Sequence, residues 1–521
     1  VTAASGPRTV QAPAPAGPAS SEVEVRFVAF GWYLLTACLS VAVLLTAVLS
    51  GWRGGDYWAA PIGAIVLAVG AAASRRLRLR RDQWLTPGNL VLVVWYLELV
   101  ALPTLIVVRP PVPGLMRVLP PVPAINYAMC VQSLAFASFA VCFAVRAGAG
   151  RSARAASGAR AEGPAGARRP VPVPVVLAFL AVGTAGMALF FRTPGEAWAY
   201  YTGHPALLEP GSRTSLGQGI SALTRPFLGV GGLLWLQRGL ASRPPGAAAP
   251  SRRRTTWRAV VALALLFLSY SSYHYNRQAA VTALIALLAV CSLQVRRLNL
   301  PVLLVTFVFV GVCSSYVGTY RLFYVETRGG ELSAREVGLD DYRADPLEEL
   351  ERYLGAPQFV AIAVEGNGGG APLLGPESLL ASVLRPVPII GKPYRDTDTG
   401  KVYNERIYGS LVAHDQHPPL VVDLLFAGGP SGVVAGFSLL GIAFGALDRR
   451  YRPTADTLDA YLHVFTSITL AFSVAGGIAV LSQTLLYFCL PPYLARAFFR
   501  GARKGPAGKA VPALDAGVIG R

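Results

Sequence analysis

Runs of about twenty apolar residues recur along most of this chain, and arginine clusters lie between them. A helix rises about 1.5 Å per residue, so a run of this length matches a hydrocarbon core about 30 Å deep. Backbone polar groups in lipid must satisfy one another, which confines such runs to helices. The composition agrees, with 53% hydrophobic and 14% charged residues and a mean hydropathy of +0.47. A soluble domain carries about a quarter charged residues. The sequence therefore predicts an all-α polytopic membrane protein.

About twelve transmembrane helices are predicted, near 27–50, 58–74, 89–109, 125–146, 171–191, 219–238, 259–274, 279–295, 300–319, 419–447, 460–477 and 480–498. The formal charge of +19 raises the question of a nucleic-acid partner. Its distribution answers against one. Arginine clusters sit at Arg75–Arg81, Arg146–Arg169, Arg238–Arg258, Arg296–Arg297, Arg449–Arg452 and Arg496–Lys509. With both termini cytoplasmic, every one falls on the inner side, as the positive-inside rule requires. The segment from Arg321 to Asp415 is the long exception, with more acidic than basic residues.

The chain divides into a disordered cytoplasmic N-terminal tail (1–26), nine spans (27–319), a large extracytoplasmic loop (320–418), three spans (419–499) and a basic cytoplasmic C-terminal tail (500–521). The first apolar run is too long for a signal-peptide core and reads as the first span. The last two spans meet at an apolar connector, Gly476–Gly477. Cys38, Cys130, Cys142, Cys291, Cys313 and Cys489 all lie in apolar runs without a C-x-x-C pair. They indicate neither a disulfide framework nor a zinc site.

The inner loops 147–170 and 239–257 are rich in Ala, Gly, Pro and Arg and read as solvated linkers. Two outer segments are long enough to build a site, 192–218 and 320–418. In the second, "DPLEELERYLG" offers Asp345 as N-cap and Pro346 at the first helical position. Leu347, Leu350 and Leu354 then form one apolar face. "PESLLASVL" (376–384) predicts another short amphipathic helix, and the glycine-rich "EGNGGGAP" lies between them. A loop with helices of its own reads as a lid resting on the membrane surface.

Arg277 opens the eighth span in "SSYHYNRQAAVTALIALLAV", flanked by Tyr273 and Tyr275, and Arg321 closes the ninth beside Tyr320. A short inner turn joins these spans, so their outer ends and both arginines are expected to be neighbours. Two guanidiniums at one spot call for an anion, and a diphosphate matches their forked donors. The competing reading is two interfacial arginines snorkelling to lipid phosphates. The loop segment "RPVPIIGKPYRDTDTGKVYNERIYG" adds Arg385, Lys392, Arg395, Lys401, Asn404 and Arg406.

His204, His274, His414 and His417 are outside as well. "HDQH" (414–417) has a helical metal spacing, but Pro418 and Pro419 oppose a helix there, so a base or a sugar hydrogen-bonding role is expected instead. His463 reads as a packing or interhelical hydrogen-bonding residue, and Asp423 as an acid within the tenth span. "EAWAYYTGH" could stack on sugars or form part of an aromatic belt. No Walker A or dinucleotide fingerprint is visible, and no cofactor or metal is implied. The first outer loop, "GWRGGDYW", lacks the paired carboxylates of many membrane glycosyltransferases that use polyprenyl-phosphate sugars.

Three stretches carry a resemblance. They are "NRQAAVTALIALLAV", "LRPVPIIGKPY" and "YNERIYGS…PPLVVDLLFAGGPSGVVAGFSLLGIAFGAL". Together with the architecture they resemble the O-antigen polymerase (Wzy) and oligosaccharide repeat unit polymerase family, to which O-antigen ligases are related. Gln278 departs from the small glycine usual after the arginine.

The resemblance implies a bacterial cytoplasmic-membrane glycosyltransferase acting on undecaprenyl-diphosphate-linked oligosaccharides at the outer face. It also implies possible company, a flippase and a chain-length regulator of the same pathway. In that reaction Arg277 and Arg321 contact the diphosphate, and His414 or His417 is the base. Tyr273, Tyr275, Tyr320, Arg385, Lys392, Arg395, Lys401 and Asn404 bind substrate. The alternatives are a ligase handing glycan to another acceptor, a transporter or flippase for a lipid-linked or anionic solute, and a structural membrane protein.

Overall fold

Helices that share a bilayer gain little from hiding apolar surface, because lipid tails are as apolar as leucine; close packing and hydrogen bonds hold them together. Both are visible in the computed structural model of this chain. It describes residues 87–101, 120–156, 171–191, 193–202, 215–241, 252–271, 282–288, 290, 356–366, 374–387, 390–394, 399, 418–450 and 456–503. There is no strand among the described residues. Five helices are long and apolar enough to cross a membrane: Val122–Phe143, Val173–Phe190, Gly219–Leu240, Leu420–Arg449 and Gly477–Phe498. They coincide with predicted spans four, five, six, ten and twelve. The first, second and ninth predicted spans lie outside the described residues, as does the predicted helix at "DPLEELERYLG".

One group of helices packs around Trp95. α1 (Pro87–Tyr96) continues into a π turn, Leu97–Ala101, and lies against α2 (Val122–Ala156) and α10 (Leu420–Arg450). The buried Trp95 ring is centred 4.0 Å from Phe139, 5.4 Å from Phe437 and 5.5 Å from Phe444. Its Nε1 donates to the carbonyl of Ala471, 2.8 Å away. At the start of α1, the Gly88 amide donates to Asp448 Oδ1 at 3.0 Å, so α10 supplies an acceptor for one of the orphan donors of α1. These contacts run α1 antiparallel to both α2 and α10.

A second group joins α3 (Val173–Phe190), α6 (Pro226–Ala241) and α7 (Arg252–Ser271). Gly183 lies on the backbone of Leu228, and Gly186 on Thr224 and Arg225. A side chain at either would meet backbone, so glycine is required for this antiparallel approach. α6 turns back on α7 in the same way, with Gly232 against Ala262 and Gly239 against Arg258. These relative directions agree with the alternation read from the arginines.

Three local expectations change. The supposed linker after residue 146 begins as helix, since α2 extends to Ala156; adding residues to an existing helix needs no new nucleus. Likewise α7 starts at Arg252 within the supposed linker 239–257. The segment 192–218, predicted to lie outside, contains α4 (Pro194–Thr202) and the start of α5 (Ser215–Thr224). α4 starts on an N-cap that the sequence reading missed: Thr193 Oγ1 accepts from the Glu196 amide at 3.1 Å, with Pro194 at the first position.

The segments predicted as the last two spans form an antiparallel hairpin. α11 (Thr457–Phe472) ends in a 3₁₀ turn, Ser473–Gly476, and the chain reverses at Gly477 (φ 73°). It returns through α12 (Gly477–Thr484), a π turn (Leu485–Cys489) and α13 (Leu490–Arg503). Arg496 Nε pairs with Asp459 at 2.8 Å across the base of the hairpin. His463, read from the sequence as a packing or interhelical hydrogen-bonding residue, is buried, and its Nδ1 lies 2.7 Å from the carbonyl of Asp459 in its own helix.

Candidate functional site

The tenth span enters as a broken helix. Inside α10, Gly428 (φ −156°, ψ 18°) and Gly429 (φ 61°, ψ −158°) leave helical geometry just before Pro430. Proline has no N–H, so the carbonyl four residues earlier, that of Phe426, loses its helical donor. The amide of Leu374, from the loop, donates to it at 3.0 Å. Ser431 Oγ donates to the Gly428 carbonyl at 2.7 Å. The break is thus fully partnered at these two carbonyls, and it docks the loop on the bundle.

A second break faces the first turn of α10. Asp423 is buried, and its Oδ2 accepts the Ile478 amide at 2.6 Å. That amide is an orphan donor at the start of α12, where a carboxylate also complements the helix dipole. Gly477 sits on the carbonyl of Pro418 and 2.6 Å from Asp423 Oδ2, measured from where a Cβ would stand. Its positive φ and this crowding both demand glycine.

The loop segment rests on these two breaks. α9 (Glu377–Leu384) forms where the sequence predicted a short helix. It buries its small face, Ser378, Ala381 and Ser382, while Leu380 and Val383 are exposed. After α9, the described residues of "RPVPIIGKPY", 385–387 and 390–394, fold back in a series of turns. The Val387 amide donates to Leu384 O at 2.9 Å, Gly391 to Val387 O at 2.8 Å, and Tyr394 to Gly391 O at 3.1 Å. Gly391 lies directly on the carbonyls of Leu384 and Arg385, leaving no room for a side chain.

The returning half of the hairpin holds this turn in place. Tyr487 Oη donates to the carbonyl of Pro386 at 2.7 Å, and Ser482 Oγ to that of Ser382 at 3.3 Å. Ser382 Oγ also lies 3.0 Å from Thr399 Oγ1. Arg385, half-buried, and Lys392, exposed, are thereby brought onto one folded unit, with the exposed Ile390 between them. Of the predicted site residues, these two are described. Arg277, Arg321, His414, His417, Tyr273, Tyr275, Tyr320, Arg395, Lys401 and Asn404 lie outside the described residues.

The structure adds a residue that the sequence reading passed over. Arg225 joins α5 to α6 inside the sixth span and is only 3% exposed. Its guanidinium carbon lies 4.0 Å from the centre of the Phe190 ring, a cation–π contact. Its Nε donates to Ser221 O at 3.4 Å, and its carbonyl accepts from Ser269 Oγ at 2.8 Å. The neighbouring Tyr270 reaches the carbonyl of Phe488, in the same π turn that carries Tyr487, at 3.3 Å. Arg225 therefore belongs to the same scaffold as the Arg385 turn. Its signal was present in the sequence as an Arg-Pro pair inside an apolar run.

Chemically, the described site is basic and hydrogen-bond donating, with apolar side chains exposed alongside. At the turn Arg385 carries a planar guanidinium and Lys392 a point charge, whereas Arg225 is buried against Phe190 and Ser221. Among the described residues no three of His, Cys, Asp or Glu gather as metal ligands. No family model, curated protein or solved structure matches this chain.

Proposed function

We propose that the protein polymerises undecaprenyl-diphosphate-linked oligosaccharide repeat units by glycosyl transfer at the outer face of the bacterial cytoplasmic membrane. The observation that carries this reading is the anchored "RPVPIIGKPY" turn. It sets Arg385 and Lys392 beside exposed Leu380, Val383 and Ile390. Cationic donors next to an apolar surface suit a ligand with a diphosphate head and an isoprenoid tail. The diphosphate is already a leaving group, so positioned cations stabilising its developing charge would be the main catalytic contribution. Arg277 and Arg321 are assigned to that diphosphate, Arg395, Lys401, Asn404 and the three tyrosines to substrate binding, and His414 or His417 to deprotonating the acceptor hydroxyl.

The test is a deletion strain whose lipid-linked glycans are sized by gel electrophoresis. Single repeat units should accumulate, and the intact gene should restore long chains. Unaltered chain length in the deletion sinks the proposal. Transfer of full-length glycan failing while polymerisation persists points to the ligase alternative.

A transporter for a lipid-linked or anionic solute is the second reading. The breaks at Gly428–Pro430 and Ser473–Gly477 favour it, because discontinuous helices build many transport sites. Under that reading the deletion leaves repeat units facing the cytoplasm, where an impermeant oxidant cannot modify their sugars.

A further inference from the structure

The partners that the α9 segment finds on α10 and the hairpin fix its depth along the bundle. Gly477 sits on the carbonyl of Pro418 and beside Asp423, so α10 and α12 begin at one level. Both open segments long and apolar enough to cross a membrane, Leu420–Arg449 and Gly477–Phe498. Leu374 bonds Phe426, six residues beyond Leu420, and Ser382 bonds Ser482, five residues beyond Gly477. At about 1.5 Å per residue, these contacts lie about 7–9 Å along the helices. Pro386 bonds Tyr487, ten residues beyond Gly477. A helical side chain leans back toward the start of its helix, which puts Pro386 about 10 Å in.

The other end of the hairpin gives the same scale. Arg496, which pairs with Asp459 there, is nine residues beyond Tyr487. From Gly477 to Arg496 is therefore about 28 Å, close to the depth of a hydrocarbon core. The chain then comes back, because Thr399 meets Ser382 Oγ with both its hydroxyl, at 3.0 Å, and its amide, at 3.3 Å.

The surface of the segment suits apolar surroundings at that depth. α9 buries Ser378 and Ser382 and exposes Leu380 and Val383, the reverse of a helix that faces water. Ile390 is exposed as well. The backbone is partnered from within the protein, as a bilayer interior demands. The carbonyls of Ser382 and Pro386 take hydroxyl donors from the hairpin, and Pro386, Pro388 and Pro393 have no N–H to satisfy.

We propose that the segment of residues 376–387 and 390–394 re-enters the bilayer beside the hairpin. Leu380, Val383 and Ile390 face lipid acyl chains, and a water-filled recess reaches Arg385 and Lys392 near the tip. Charges at this depth need water or a counter-charge around them. The sequence alone suggested a lid on the membrane surface; the depth of its anchors makes the bilayer itself the partner of its apolar face. This placement stands whichever reaction the protein performs.

The experiment uses the full chain in nanodiscs containing one of two photoactivatable phosphatidylcholines. One carries a diazirine at the middle of an acyl chain, the other at the headgroup. Crosslinked residues are located by mass spectrometry, with Leu177 and Val182, exposed on α3, as lipid-facing references. Leu380, Val383 and Ile390 should be labelled several times more by the mid-chain probe than by the headgroup probe, as the references are. In the same nanodiscs Lys392 should be acylated by a water-soluble succinimidyl ester. Labelling of the three apolar residues from the headgroup probe alone, or from neither probe, overturns the re-entry and leaves a surface lid or a protein partner on this face. An unreactive Lys392 overturns the recess. Neither readout depends on glycan chain length, so the placement and the proposed reaction fail separately.

Discussion

At the scale of single residues, Arg385 and Lys392 are the most direct test of the proposed site. Each charge-assisted contact to a diphosphate is worth about 1.5–3 kcal/mol, or roughly ten- to a hundredfold in rate. Arg385→Ala and Lys392→Ala are each expected to lower the rate of chain extension in isolated membranes by that factor. Protein levels on immunoblots should be unchanged. Arg385→Lys should recover less than half of the loss, since a point charge cannot reproduce the fork. Equal activity of parent and alanine variants would remove both residues from the site.

Asp423 tests the scaffold at the same scale. Asp423→Ala leaves the Ile478 amide buried without its acceptor, a cost of about 1–3 kcal/mol. Asp423→Asn retains an oxygen acceptor and should be the milder change. Melting temperatures of the purified variants in detergent should rank parent, Asn, then Ala.

Residues of these kinds were unequally legible in the sequence. Arg385 and Lys392 stood out because a charged, proline-rich motif occurs in a long loop that the charge pattern predicts to be outside. Arg225 was hidden by its apolar neighbours, although a charge in a span is itself a signal. The role of Asp423 could not be read at all, because its partner is fifty-five positions away in the chain.

At the scale of elements, the break in α10 is the feature to perturb. Pro430→Ala restores an N–H that can compete with Leu374 for the Phe426 carbonyl. The expected outcome is a straighter α10 and a loosened loop. Amide exchange at Leu374 should then accelerate about tenfold or more, the consequence of weakening one hydrogen bond by about 1.4 kcal/mol. Chain extension should fall in parallel. Unchanged exchange at Leu374 would mean that the loop is held by its other anchors, Tyr487 and Ser482.

The elements themselves were largely foreseeable. Spans four, five, six and ten, and α9 in the loop, fall where their apolar runs predicted helices. The departures have local causes. α4 depends on a Thr-Pro-Gly-Glu start that was read as loop, and α2 runs on into its arginine-rich end. α9 has an apolar periodicity, but it buries serines and alanine because close approach to α12 favours small side chains.

At the scale of the whole molecule, the arrangement of inner and outer faces is open to direct labelling. Gly370→Cys, in the predicted extracytoplasmic loop, should react with an impermeant maleimide on spheroplasts. Ser157→Cys, in a predicted inner loop, should react only after permeabilisation. The reverse pattern would invert the topology and with it the proposed site of reaction. The antiparallel pairings α1–α2, α3–α6 and α6–α7 require each pair to cross in opposite directions, so one labelled loop constrains its neighbours.

The sequence by itself determined which segments are apolar enough for lipid, and where the arginines between them fall. Both are sums over neighbouring residues, so they can be read locally. The tertiary structure alone decided that Leu374 completes the break at Pro430, that Asp423 receives the start of α12, and that Tyr487 clamps the Arg385 turn. It also placed Arg225 against Phe190. Each of these depends on one donor or acceptor meeting another far along the chain. Such a meeting leaves no trace in local composition, because the backbone path between the partners sets it.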